Sequence, residues 1–139
     1  MGKKKLKKIP SASLKQIPPI FESIPKESFY NKHPKFSFTY ITDSSQYCLK
    51  KCQNKEKSAI IDKLHSLSKT TWGNIWDSPK EGLGSEPLPN NAYKKLPNNE
   101  ILTDKKFIVF RTSDKGRIIG FHENDTFYLV ICDPNHTFY

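Results

Sequence analysis

The chain has 139 residues, a mass of 16.1 kDa and a formal net charge of +9, enough for one domain and an appendage. No apolar run approaches the roughly 18 residues that a membrane span requires. No apolar core of roughly 7–15 residues follows the basic start, so no secretory signal is expected either.

The charge is unevenly placed. Residues 1–35 hold nine Lys against two acids, or +7, while residues 36–139 hold fourteen Lys and Arg against twelve acids, or +2. The run KKKLKK, with Lys3, Lys4, Lys5, Lys7 and Lys8, attracts any polyanion at long range. Such runs serve as solubilising ends just as well. Pro10, Pro18, Pro19, Pro25 and Pro34 preclude a helix of any length, so residues 1–34 read as a flexible Lys/Pro-rich basic leader. IPPIFESI, Ile17 to Ile24, is its apolar exception, able to pack on the domain or on a partner. The three Cys are an odd count with no disulfide framework, and the cytoplasm is the expected compartment. Cys48 and Cys52 form a C-x3-C without a second pair or a His at zinc spacing, so no metal or other cofactor is expected.

The domain, residues 35–139, opens on KFSFTYI, where Phe36, Phe38 and Tyr40 alternate with small or polar residues as a strand does. From Asn54, taken as an N-cap, Ile60, Ile61, Leu64 and Leu67 form the stripe of a helix. Trp72, Ile75 and Trp76 repeat at helical spacing in TTWGNIW, and Ser78-Pro79 ends that second helix. Residues 80–103, rich in Gly and Pro, read as a long loop, with Glu86 a partner for a helix cation or merely solvated. FIVFRTS, RIIGFH and TFYLVICD, separated by DKG and ENDT, give three strands of a meander. Its expected inner face is Phe107, Val109, Ile119, Phe121, Phe127, Leu129 and Ile131, and Gly120 marks a close approach. The expected fold is α+β: a small antiparallel sheet, made of the N-terminal strand and the C-terminal meander, with two helices on one face.

This arrangement brings Arg111 and Arg117, which flank the DKG turn, toward Asp133, His136 and Tyr139 at the end of the chain. His122 and Glu123 fall at the opposite edge, an alternative acid/base pair. Two guanidiniums, an imidazole and a phenol are what metal-free RNA cleavage needs. One group takes the 2′-hydroxyl proton, another supplies a proton to the 5′-oxygen, and Arg offsets the phosphate charge. Arg at strand ends is also commonly a solvated charge, and a terminal His-x-x-Tyr commonly idle.

The order of elements, with VFRTSDKGRIIGFHENDTFYLVICDPNHTFY, LSKTTWGNIW and GLGSEPL, resembles the RelE/ParE superfamily of bacterial toxins over residues 35–139. That resemblance implies a RelE-like fold and a toxin-like, metal-independent endoribonuclease cleaving mRNA, ribosome-bound or free, silenced by a cognate antitoxin protein. It implies that Arg111 and Arg117 bind the phosphate, that His136 transfers the proton and that Tyr139 stacks on or orients the RNA. Lys3, Lys4, Lys5, Lys7, Lys8 and Lys115 are the expected RNA-binding cations. Two alternatives stay open: a ParE-like inhibitor of gyrase, and a non-catalytic interaction module whose leader tethers it to nucleic acid or an acidic partner.

Overall fold

A computed structural model describes residues 29–139 apart from Ser44. Lys3, Lys4, Lys5, Lys7, Lys8 and the IPPIFESI stretch lie outside the described residues. Seven elements carry the fold: β1 (Lys35–Ser37), α1 (Asn54–Ser68), α2 (Trp72–Trp76), β2 (Glu86–Pro87), β3 (Ile108–Arg111), β4 (Arg117–Glu123) and β5 (Thr126–Asp133). Short 3-10 turns at Leu49–Lys51, Asn90–Lys95 and Glu100–Leu102 join them. The five strands form one sheet in the order β1-β5-β4-β3-β2. The pairs β2–β3, β3–β4 and β4–β5 are antiparallel, but β1 runs parallel to β5.

The domain is therefore α+β with a mixed sheet, where the sequence suggested an antiparallel one. Alternation at Phe36, Phe38 and Tyr40 tells which face is buried, and carries nothing about strand direction. The strand also stops at Ser37, leaving Phe38 at 42% exposure. The fifth strand comes from the segment expected to be loop. It is two residues long and contains a proline, which lacks an amide and is tolerated at a sheet edge. No periodicity can show in two residues.

Both helices pack on one face of the sheet. Ile60, Leu64 and Leu67 of α1 and Trp72 and Ile75 of α2 bury against Phe110, Ile118, Phe127, Leu129 and Cys132. Ile61 is 56% exposed, because one residue along a helix turns a side chain about 100° away from the stripe. α1 caps one residue earlier than expected: the Gln53 amide donates to Glu56 Oε1 at 2.7 Å. The Thr71 hydroxyl caps α2, accepting from the Asn74 amide at 3.2 Å. Trp72 Nε1 donates to the Asp125 carbonyl at 3.0 Å, fixing α2 to the β4–β5 turn. The chain ahead of β1 already belongs to this layer, since the Trp72 and Gly73 amides donate to the carbonyls of Lys32 (3.0 Å) and Tyr30 (2.8 Å).

The opposite face is covered too, by the 88–102 segment and the chain's last residues. Leu88, Ala92, Leu102 and Phe138 close over Phe107, Val109, Ile119, Phe121, Val130 and Ile131. The expected inner face is thus split, with Phe127 and Leu129 under the helices and the other five on the far side. A bulge causes part of this. Ile119 pairs with Ile131 but Gly120 pairs with Leu129, which leaves Val130 as an extra residue. Val130 and Ile131 then face the same way, and period-two reading fails there.

Candidate functional site

Arg111 and Arg117 are direct cross-strand partners, and Arg117 is in turn opposite Asp133. The three residues therefore lie side by side at one end of the sheet. Beyond Asp133 the chain folds back on itself. The Asp133 carboxylate, on a residue only 1% exposed, accepts from the Thr137 amide (2.9 Å), the Thr137 hydroxyl (3.3 Å) and the Phe138 amide (2.9 Å). Phe138 is 1% exposed with its ring edge-on to Tyr47 at 5.1 Å, and Lys95 Nζ donates to its carbonyl at 2.9 Å. DPNHTFY is a built loop. It holds His136 in the left-handed region (φ 56°), exposed, with its ring 4.7 Å from that of Tyr139.

The four residues singled out from the sequence therefore do gather, but both guanidiniums already hold partners within the fold. Arg117 is 5% exposed, and its Nη1 donates to the carbonyls of Ser113 (3.3 Å), Asp114 (3.2 Å) and Gly116 (2.9 Å). It ties together the turn that precedes it. Arg117 Nε and the Tyr139 hydroxyl are both buried and neither makes a hydrogen bond of good geometry. Arg111 Nε donates to Glu86 Oε2 at 3.3 Å, and Lys80 stands 3.7 Å from the same carboxylate. Burial pushes the Tyr139 phenol above its ordinary pKa and the Glu86 charge adds to the effect. Arg117 and Arg111 only partly offset it. Tyr139 is a neutral phenol throughout the physiological range.

An open cleft of about 580 Å³ adjoins this edge on the helix side. Lys63 and Arg111 line it together with Asp62, Glu81 and Asp114, whereas His136 and Tyr139 do not. Its lining mixes two cations with three carboxylates, and the exposed His136 imidazole is not part of it. Lys115 is exposed in the turn between β3 and β4.

At the far end of β4, His122 packs among the rings of Trp72 (4.9 Å), Trp76 (5.2 Å) and Phe29 (5.4 Å), with Nδ1 3.2 Å from the Asn124 carbonyl. Burial lowers its pKa, against smaller opposing effects of the Asn124 carbonyl and the Glu123 charge. Glu123 itself is paired with Lys105. The pair is a packed ring beside a surface ion pair. An imidazole that resists protonation when folded takes up its proton on unfolding at about pH 6.5. Its contribution is complete above that pH and lost as pH falls below it. Urea midpoints should therefore drop between pH 7 and pH 5, and the drop should shrink in His122→Phe. An equal drop in that variant would remove His122 as the cause.

The sequence pointed to Arg111, Arg117, His136 and Tyr139 but missed what restrains them. Glu86 is the partner of a strand cation, Arg111. Asp133 is the anchor of the tail, a role that Asp followed by Pro at the start of a turn supports. Among the described residues no group of three or more His, Cys, Asp or Glu is placed to hold a metal, and no helix is long and apolar enough to cross a membrane. Comparison with known proteins finds no family model, no curated protein and no solved structure that matches this chain.

Proposed function

We propose that the chain is a non-catalytic interaction module that its basic leader carries to RNA. The observation that supports this reading is the engagement of both guanidiniums, Arg117 with its own turn and Arg111 with Glu86. A phosphate approaching Arg111 would meet the Glu86 carboxylate already paired with its Nε, and one approaching the buried Arg117 would compete with the three turn carbonyls on its Nη1. Most of the chain's cationic excess lies in residues 1–35, which hold +7 against +2 for the rest. Binding of this kind is dominated by counterion release and weakens steeply with salt.

Replacing Lys3, Lys4, Lys5, Lys7 and Lys8 together by Gln should flatten the slope of log K against log salt. For single-stranded RNA each lost phosphate contact changes that slope by about 0.7, so the expected change for five is about 3.5. Fluorescence anisotropy with a labelled oligonucleotide measures it. An unchanged slope would place the binding face elsewhere.

One observation favours a second reading, the antitoxin-controlled endoribonuclease of RelE-like fold. Arg111, Arg117, His136 and Tyr139 come to one edge from three separate segments, and His136 is held in a backbone conformation that costs free energy at a non-Gly residue. In that reading His136 transfers the proton and Arg111, released from Glu86, contacts the phosphate. Arg117 is then a positioning residue, and Tyr139 shapes the edge on which the imidazole rests. RNA cleavage lost in His136→Gln separates the two.

A further inference from the structure

Three free cysteines, two of them four residues apart and the third in β5, lie buried where the segment ahead of α1 meets β5. Cys52, at 7% exposure, is the most accessible of them, against 1% for Cys48 and 0% for Cys132. Its thiol lies 3.8 Å from the Cys48 carbonyl, and it shares a core cluster with Cys132, near enough that each thiol shifts the other's titration. Both Cys52 and Cys132 belong to the core under the helices, a cluster that does not include Cys48. The C-x3-C of the sequence is therefore not the reactive pair. The pair is formed across the fold.

We infer that Cys52 and Cys132 form a reversible disulfide on exposure to a peroxide, an oxidation-dependent fastening of the pre-α1 segment to β5. The compact oxidant matters, because the thiols are reached only through the small exposed edge of Cys52. In the first step the Cys52 sulfur attacks one peroxide oxygen. The S–O bond forms, the O–O bond breaks and hydroxide leaves, taking up the thiol proton as water. In the second step the Cys132 sulfur attacks the Cys52 sulfur, the S–S bond forms and the S–O bond breaks. A second water carries away the sulfenic oxygen and the remaining proton. The two thiols have given up two electrons, and one hydrogen peroxide has become two waters. Burial pushes the Cys132 thiol up to about 12 and raises that of Cys52 as well, so both steps are slow beside those of an exposed thiol.

The fastening reaches further than the two sulfurs. The Cys132 amide donates to the Tyr47 carbonyl at 2.9 Å, and the Tyr47 ring and hydroxyl touch Phe138 and Thr137 of the tail. Asp133, the tail's anchor, follows Cys132 directly. The crosslink would lock the strap 47–52 onto the root of the loop that carries His136. This inference stands apart from the proposed function, since it rests on thiol placement alone.

The test uses the full chain treated with hydrogen peroxide at neutral pH, then quenched, denatured and alkylated. Trypsin separates Cys48 from Cys52 at Lys50 and Lys51, so peptide mapping identifies the bond. The expected result is one linked Cys52–Cys132 peptide pair, with Cys48 alkylated. The oxidised chain should melt roughly 5–10 °C higher, as closing a long loop predicts, and dithiothreitol should reverse both changes. Cys48→Ser should give the same crosslink. Three thiols still free, a bond that includes Cys48, a bond between two copies, or sulfinic acid at Cys52 without a crosslink would each overturn the inference.

Discussion

Gly120→Ala is expected to destabilise the domain by about 3 kcal/mol or more, at the upper end of what overpacking costs. An ideal Cβ at this position would stand 2.0 Å from the Tyr128 carbonyl oxygen and 2.8 Å from the Phe127 ring. The first contact is with backbone, so no rotamer change relieves it. The glycine sits at the bulge, where β4 and β5 lose register between Ile119 and Gly120. Moving Tyr128 away would pull on the strand that feeds both cores. A small domain holds only about 5–15 kcal/mol of net stability, so soluble yield should fall together with the urea midpoint. A midpoint within about 0.5 kcal/mol of wild type, with the slope unchanged, would show that the strands separate more easily than their packing implies.

Asp133→Ala is the second large effect, expected at about 2–4 kcal/mol. The carboxylate is buried and accepts three hydrogen bonds, two of them from backbone amides of Thr137 and Phe138. Bonds to a charged acceptor contribute about 1.5–3 kcal/mol, and the amides left behind lose their partners in a dry place. The loss should be local before it is global. Hydrogen exchange at Thr137 and Phe138 should accelerate more than that of β4, because the tail is released while the sheet persists. Uniform acceleration would mean that the tail and sheet unfold as one unit.

Much of the domain was legible because its signals are local. The stripe of α1, the Trp72–Ile75 spacing of α2 and the turns at DKG and ENDT each concern residues a few positions apart. Asn124, in the second of these turns, has φ 52°, a conformation Asn tolerates. Gly120 was read correctly as a close approach. What was not legible depends on pairing. The direction of β1 is decided by β5, ninety residues later, and the two-residue β2 is decided by β3. The bulge at Val130 reversed the facing of one stretch of β5, so a face list drawn by alternation mixed two cores.

The candidate site shows the same division. That Arg111, Arg117, His136 and Tyr139 share an edge follows from strand lengths and turn positions. That Arg117 turns inward onto Ser113, Asp114 and Gly116, and that Glu86 meets Arg111, follows from tertiary packing which spacing does not encode. Electrostatics of residue type suggested a phosphate clamp. Hydrogen-bond partners instead support a braced end of the sheet.

The most direct measurement incubates the full chain with end-labelled RNA in excess EDTA and resolves bound, free and cleaved RNA, for wild type and His136→Gln. An interaction module retains intact RNA in both, with equal affinity and a steep loss on raising salt. Cleavage by wild type that His136→Gln abolishes, in a variant that melts like wild type, would contradict that account and make the folded-back tail half of a nuclease site.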